Sequence, residues 1–119
     1  MKLNEIIDKL NLEVLCGSSK LDNEVRGGYA SDLLSDVIAN SREGNIWVTL
    51  QIHLNIVAVA SLNRVSGILL VNGRHPEEET IRKAETEGIP ILVSKLPAFE
   101  IIGRLHDLGV HGVGDGGSV

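Results

Sequence analysis

The chain has 119 residues, of which 43% are hydrophobic and only 3% aromatic, and its formal net charge is −5 with a pI near 5.3. This length suits one domain with one modest core, and the apolar fraction argues against intrinsic disorder. Binding to duplex nucleic acid needs clustered lysines and arginines, which the sequence lacks, so we expect no nucleic-acid partner.

The sequence also argues against export, membrane insertion and disulfide bonding. Its N-terminal residues lack the apolar core of a signal peptide, and no apolar run approaches the ~20 residues that span a bilayer. Cys16 is the single cysteine and follows an apolar run, so we expect a buried, unpaired thiol. We therefore predict a cytoplasmic protein without membrane contact.

The first elements are a helix and a strand. Apolar residues at helical spacing predict an amphipathic helix over 3–10, and the apolar run 12–16 predicts a strand. Glycine, serine and asparagine residues then indicate a loop over 17–23. Residues 25–30 are compatible with either a short strand or an extended approach to the next helix.

The middle of the chain predicts a helix, a strand and a second helix. Residues 31–40 are expected to be helical, capped by Ser31. The buried stripe of this helix is expected to comprise Leu33, Leu34, Val37 and Ile38. A β-branched and aromatic run predicts a strand over 46–50. Residues 55–62 are interpreted as a crossover helix capped by Asn55.

The last part begins with an uninterrupted apolar run over 68–71, typical of a strand covered on both faces. Pro76, three glutamates and Gly88 mark a helix, with Pro76 at its first position. A strand over 89–93 follows. Pro97 opens a last helix that is expected to bury Phe99, Ile102 and Leu105 and to stop at Gly109.

This order predicts an α/β fold with a small, mostly parallel sheet and helices on both faces. We expect a single domain over 1–109, followed by a flexible, glycine-rich tail over 110–119. Ligands of open α/β sheets bind at the carboxyl ends of the strands, so this edge is the place to look for a site.

Two candidate ligand sites follow from the pattern. Gly27 and Gly28, before the predicted helix, would present main-chain amides to an anion, with Arg26 adding a charge. The alternative is a tight turn that needs positive φ.

The second candidate is a crevice between two strand-to-helix loops. Its residues are Gln51, His53, Asn55, Asn72, Gly73, Arg74 and His75. Amides, two imidazoles and a guanidinium around one crevice suit an adenine nucleotide or another small anion. The alternative is structural: an Asn-Gly turn, with His75 and Asn55 capping helices.

Nothing in the sequence indicates catalysis, a metal or a cofactor. The phosphate-binding motifs G-x-x-x-x-G-K-[ST] and G-x-G-x-x-G are absent, as is a G-x-S-x-G elbow. His53 and His75 lack a third metal ligand.

A candidate dimer surface lies at the end of the predicted strand over 46–50 and in the loop after it. Apolar residues alternate there with polar ones, at Leu50, Ile52, Leu54 and Ile56. An exposed patch of this kind would favour an isologous homodimer.

Three segments carry a resemblance to a known family. Residues 25–34, 68–76 and 88–93 resemble the DRTGG domain, and the likeness covers about 1–109. Residues 51–55 stand where the family has an Asp-Arg pair, and residues 71–73 where it has Thr-Gly-Gly.

The resemblance implies a small regulatory or interaction module that forms homodimers. Stand-alone versions look like those encoded near iron-only hydrogenase components, so it also implies a partner protein in a redox complex. Other members are joined to CBS domains in pyrophosphatases or to phosphotransacetylases, or are similar to the N-terminal domain of HPr kinase/phosphorylase.

Three functions are therefore compared. The first is a non-catalytic regulatory module that forms homodimers within a redox-associated or phosphotransfer system. The second is a domain that senses an adenine nucleotide. The third, an enzyme of phosphoryl transfer, is disfavoured because the sequence has neither a P-loop nor a base–nucleophile pair.

Overall fold

A computed structural model describes residues 1–114, which form a five-stranded sheet and five α-helices. In chain order the elements are α1 (Leu3–Leu10), β1 (Glu13–Cys16), β2 (Gly28–Ala30), α2 (Leu34–Asn40), β3 (Ile46–Thr49), α3 (Asn55–Asn63), β4 (Gly67–Leu70), α4 (Glu78–Glu87), β5 (Ile91–Val93) and α5 (Ala98–Asp107). The predicted α/β fold with a mostly parallel sheet is confirmed. Residues 25–30, left open by the sequence, do contain a short strand.

The sheet has the order β1-β5-β4-β3-β2. Strands β2 to β5 are parallel neighbours, and β1 pairs antiparallel with β5 at one edge. Because each parallel strand is added on the same side of the one before, right-handed crossovers place α2, α3 and α4 together on one face. Helices α1 and α5 cover the other face.

Side chains alternate between two apolar cores along the central strands. Trp47, Ile68 and Ile91 face the crossover helices, whereas Ile46, Leu69 and Leu92 face α1 and α5. All six are fully buried. A strand that is buried on both faces needs no polar positions, which explains the uninterrupted apolar runs in the sequence.

Helix α2 begins later than the sequence predicts. Ser31 continues the ladder instead of capping the helix, since its N–H donates to the Val48 carbonyl at 3.2 Å. Of the four residues expected in the buried stripe, Leu33 is 65% exposed and Ile38 is 45% exposed. The predicted stripe was wrong at Leu33, because the helix begins only at Leu34, and at Ile38, because α2 packs on the core through Leu34 and Val37.

Helix α5 is rotated relative to the prediction. It buries Ile101 and Leu105, whereas Phe99 is 92% exposed and Ile102 is 40% exposed. The predicted inward positions of Phe99 and Ile102 were therefore wrong. The buried stripe begins at Ala98, one residue before the phenylalanine that suggested it.

The ordered fold continues past the predicted boundary at Gly109. Val110 is buried, the Gly28 N–H donates to the His111 carbonyl at 3.0 Å, and Gly112 bridges to Gly28 in parallel. The first residues of the predicted tail therefore lie along the outer edge of β2. Residues 115–119 of that predicted tail lie outside the described part of the chain.

Candidate functional site

The seven residues of the predicted crevice do lie on one edge of the sheet. Thr49 and Leu70 are paired in register at the ends of β3 and β4, so the loops that follow leave the sheet side by side. We call this edge, where β2 to β5 end, the carboxyl rim. It carries Gln51, His53, Asn55 and residues 72–75, as the sequence predicts.

The main chain of the loop over residues 72–75 is already hydrogen-bonded. The N–H groups of Asn72 and Gly73 donate to the carbonyls of Leu96 and Ser94 at 2.9 and 2.8 Å. The Arg74 N–H donates to the Val71 carbonyl at 3.1 Å. All three amides are therefore occupied. Those of Asn72 and Gly73 anchor the loop to the segment between β5 and α5, and that of Arg74 closes a turn with Val71.

Two residues of this loop adopt left-handed backbone conformations, which supports the alternative that the loop is a structural Asn-Gly turn. Asn72 and Gly73 have φ of 58° and 65°, in the left-handed region. An Asn-Gly pair adopts two successive residues of this kind at little cost. The turn thus accounts for Asn72 and Gly73 without a ligand.

The rim histidines have neighbours of their own. His75 Nε2 lies 3.0 Å from Glu13 Oε1 of β1, and its Nδ1 lies 3.0 Å from the Gly73 carbonyl, so His75 does not cap α4. His53 Nδ1 accepts the Asn55 N–H at 3.1 Å. Asn55 is therefore the first residue of α3 and not its cap.

Asp32 belongs to the rim but was missed by the sequence reasoning. Its Oδ1 accepts the Thr49 hydroxyl at 2.8 Å and the Leu50 N–H at 2.7 Å, and the Gln51 amide donates to its carbonyl at 3.1 Å. Asp32 thereby ties the end of β2 to the end of β3. The signal was an Asp two residues after the end of a strand, and the prediction of a helix over 31–40 concealed it.

The rim does not form a deep crevice between its two loops. Ligand crevices in open α/β sheets arise where the strand order reverses, and β2 to β5 follow one another without a reversal. A hollow of about 190 Å³ lies nearer to Asp32, bordered by Ser31, Thr49 and Ala98 among others.

Arg26, Gly27 and Gly28 lie at the opposite edge of the sheet, so the ten predicted site residues do not form one site. Gly28 pairs with Ile46 at the start of both strands. The Gly28 N–H is occupied by the His111 carbonyl, and α2 begins only at Leu34. The predicted cradle at a helix N-terminus is therefore not formed. Gly27 has φ of 122°, as the tight-turn alternative requires.

A cavity of about 300 Å³ opens beside β2, and we call it the β2-edge cavity. Its lining consists of Gly28–Ala30, Val48, Ile102, Leu105, His106 and residues 110–113. Gly28 and Ala30 contribute at most a methyl group on the face that α5 covers, which leaves the space unfilled. No sequence pattern indicates this cavity, because its outer wall follows the predicted end of the domain.

Two imidazoles line the β2-edge cavity. His106 Nε2 lies 3.0 Å from His111 Nδ1, and the ring centroids are 4.4 Å apart. Tyr29 also lines it, and its hydroxyl donates to Asp36 Oδ2 at 2.7 Å. That hydrogen bond raises the pKa of Tyr29 and lowers the pKa of Asp36.

A second cavity, of about 370 Å³, lies on the other side of the segment that includes Val110 and His111. Arg26 and Gly27 line it, so these two predicted site residues do border a concave surface. The Arg26 N–H donates to the Gly44 carbonyl at 2.8 Å, and its side chain forms no ion pair with any described residue.

The predicted apolar dimer patch is not a continuous exposed surface. Ile56 is fully buried, and Leu50 and Ile52 are half-buried against the two cores. The patch was wrong at Ile56 because α3 packs that side chain against the sheet. The large apolar side chains that are exposed lie elsewhere, at Leu33, Ile38, Leu62, Phe99 and Ile102.

Residues 1–114 contain neither a cluster of metal ligands nor a membrane-spanning helix. They contain no group of three or more His, Cys, Asp or Glu side chains that could hold a metal ion. None of the helices in these residues combines the length and hydrophobicity needed to cross a membrane.

Cys16 is buried, as predicted, and burial raises the pKa of its thiol.

The fold is similar to that of a solved regulatory region. That structure contains the CBS and DRTGG domains of Clostridium perfringens pyrophosphatase, complexed with the activator diadenosine tetraphosphate. The TM-score is 0.66 at 21% sequence identity, and the match covers 87% of this chain. It spans 45% of the other chain, so this protein corresponds to about half of that region.

A comparison with curated proteins gave no match. The family model of the DRTGG domain, however, matches residues 5–108, which is most of the sequence. The match includes all five strands and all the helices except the first two residues of α1. The chain therefore belongs to the DRTGG domain family.

Proposed function

We propose that this chain is a non-catalytic regulatory domain that senses an adenine nucleotide. The observation that carries the proposal is the β2-edge cavity, which combines an apolar interior with two imidazoles. The similar pyrophosphatase region is complexed with an activating adenine dinucleotide, which supports the choice of ligand class. Among the three functions compared above, this evidence favours nucleotide sensing over a redox-associated module.

The size and chemistry of the β2-edge cavity fit part of a nucleotide. Small-molecule sites begin at about 300 Å³ and combine apolar walls with a few polar groups. Val48, Ile102 and Leu105 supply such walls. His106 and His111 contribute ring nitrogens to the lining, and an imidazole N–H can donate a hydrogen bond to a phosphate oxygen.

The carboxyl rim is the less favoured location for the same function. Its loop amides at Asn72 and Gly73 are occupied, and His75 is engaged by Glu13. The exposed Arg74 side chain remains available to an anion. A variant at Arg74 therefore separates the two locations experimentally.

A thermal-shift screen with ATP, ADP, AMP and diadenosine tetraphosphate tests the proposal, with inorganic tripolyphosphate as the control for charge alone. A ligand present at a hundredfold its Kd adds about 2.7 kcal/mol of stability. For a domain of this size that corresponds to a rise of roughly 10 °C in Tm. We expect this rise with at least one adenine compound and not with tripolyphosphate. Unchanged melting with every adenine compound at millimolar concentration would contradict the proposal.

A second function, homodimerisation, is favoured by one separate observation. Phe99 and Ile102 are both exposed and lie three residues apart on α5, so they share one side of the helix. Paired with its copy across a twofold axis, this side would form an isologous contact. Light scattering at micromolar concentration should give a dimer for the wild type and a monomer for Phe99→Glu. A wild-type monomer would remove this second function.

The cytoplasmic location and a partner protein in a redox complex stay predictions from the sequence. Binding of a nucleotide and dimer formation are expected to influence each other, because Ile102 belongs to both surfaces. A ligand in the cavity would then alter the dimer contact, which is one physical route to regulation.

A further inference from the structure

The outer edge of β2 carries an open pair of main-chain groups. The Gly27 carbonyl accepts the Ile46 N–H at 2.9 Å, and the Ser31 N–H donates to the Val48 carbonyl at 3.2 Å. In a parallel ladder the main chain of alternate residues faces opposite neighbours, so Gly28 and Ala30 face away from β3. Gly28 is covered there by residues 110–112, and its N–H donates to His111.

Ala30 is two residues further along β2, and no described residue forms a bridge with it on this side. No hydrogen bond joins its N–H or its carbonyl to the described segments outside the sheet ladder, and the residue is exposed. Ala30 also lines the β2-edge cavity. A donor and an acceptor therefore stand side by side at the margin of an apolar space.

This arrangement matches the polar edge of an adenine ring. Adenine presents an acceptor, N1, next to a donor, the 6-amino group, and its flat faces need apolar contacts. Ile102 of α5 and Val48 of β3 lie on the walls of the same space. The imidazoles of His106 and His111 border it as well, and an imidazole N–H can donate to the phosphate of a ribose phosphate attached to the ring.

We infer that the β2-edge cavity binds an adenine ring, with the Ala30 N–H donating to N1 and the Ala30 carbonyl accepting from the 6-amino group. This inference rests on the proposed function and adds the position and the mode of recognition. The ligand class is an adenosine phosphate, and the recognising groups belong to the backbone of an edge strand.

Gly28 offers a way to fill the cavity without breaking the strand. A Cβ at this position would lie 3.4 Å from Ile46 Cγ2, 3.5 Å from the Ile46 carbonyl oxygen and 3.6 Å from Val110 Cγ1, all ordinary contacts. Valine is also favourable in a strand. Its methyl groups would occupy the floor of the cavity. Gly103 on α5 has no neighbour within 4 Å of its added Cβ, so Gly103→Val is the matched control.

The experiment is calorimetric titration of AMP into the wild type, Gly28→Val, Gly103→Val and Arg74→Ala. We expect Gly28→Val to weaken AMP binding by about tenfold or more, with the two other variants unchanged. Thermal unfolding verifies that each variant is folded. If Gly28→Val does not fold, Ile102→Trp fills the same cavity from its exposed side and should weaken binding in the same way.

A second readout uses Trp47, the single tryptophan of the chain. Its indole N–H donates to the Ser31 carbonyl at 2.9 Å, one residue after Ala30. AMP bound at Ala30 should therefore change Trp47 fluorescence. The inferred binding site is overturned, while the proposed function stands, in either of two cases. In the first, Gly28→Val and Ile102→Trp bind AMP as well as the wild type does. In the second, only Arg74→Ala weakens AMP binding. If the wild type binds neither AMP nor any other adenosine phosphate, both are overturned.

Discussion

Gly17→Ala should be one of the most destabilising single-methyl additions in this domain. Gly17 follows β1 with φ of 78°, which a residue with a Cβ adopts only with strain. A Cβ there would lie 2.4 Å from Pro90 Cα and 2.6 Å from Pro90 N, which are main-chain atoms that cannot rotate away. The Gly17 N–H also donates to Glu85 Oε1 at 2.9 Å. A shift that relieves the overlap would therefore stretch this hydrogen bond to α4.

The expected loss of stability is the sum of two terms, the backbone strain at Gly17 and the steric overlap of the added Cβ with Pro90. Left-handed φ alone costs about 1 kcal/mol for alanine, and a forced main-chain displacement in a packed region adds about 1–3 kcal/mol. Gly17→Ala should therefore lower the free energy of unfolding by about 3 kcal/mol. Gly73→Ala is the matched control, because φ is 65° but no atom lies within 4 Å of its added Cβ. It should cost about 1 kcal/mol.

Urea unfolding followed by Trp47 fluorescence measures both variants. With a slope of about 1.5 kcal/mol per molar urea, the midpoint of Gly17→Ala should fall by about 2 M and that of Gly73→Ala by less than half as much. Equal midpoints for the two variants would mean that the contact between the end of β1 and the start of β5 is not as close as described.

Three further outcomes are expected. Asp32→Ala removes the acceptor of the buried Thr49 hydroxyl and should lower the free energy of unfolding by about 2 kcal/mol in urea titrations; no loss would show that the rim needs no such tie. Absorbance titration of Tyr29, the single tyrosine, should give a pKa above its ordinary value because its hydroxyl donates to Asp36, and Asp36→Asn should bring this pKa down. Because the folded-state pKa of Tyr29 is raised, the stability linked to it is fully present below the unfolded pKa and is lost as the pH rises through the folded pKa. Cys16 should react with a thiol reagent only at the rate at which the fold opens, since burial raises its pKa; rapid reaction under native conditions would contradict its burial.

The fold was predictable where single elements carry their own signals. The apolar run that became β4 has no polar position, which indicates burial on both faces. Gly88 adopts φ of 71° at the end of α4, as a glycine stop signal predicts. The antiparallel pairing of β1 with β5 was not predictable, because the partner strand lies more than seventy residues away in sequence.

The prediction failed where a long-range contact overrides a local preference. Ser31 and Asp32 look like the start of a helix, but hydrogen bonds to the Val48 carbonyl and the Thr49 hydroxyl keep them out of the helix. In α5, Phe99 suggested a buried face because it is large and apolar, yet the helix packs through Ile101 instead.

The candidate site was predictable only where it depends on the direction of the strands. Parallel strands place the two rim loops at the same end of the sheet, and the alternation of strands and helices along the sequence predicts parallel strands. Whether their amides are free depends on Ser94 and Leu96, whose carbonyls come from a later loop. The β2-edge cavity was hidden because a space left by small side chains, such as Gly28 and Ala30, has no sequence motif.

Adenine-nucleotide binding at the β2-edge cavity is tested most directly by titrating the ¹⁵N-labelled protein with ATP and following the chemical shifts of the assigned amides. We expect saturable shifts that are largest at Ala30, His106 and residues 110–113, with Asn72 and Gly73 little changed. Shifts that concentrate at Asn72 and Gly73, or the absence of any shift at millimolar ATP, would contradict it.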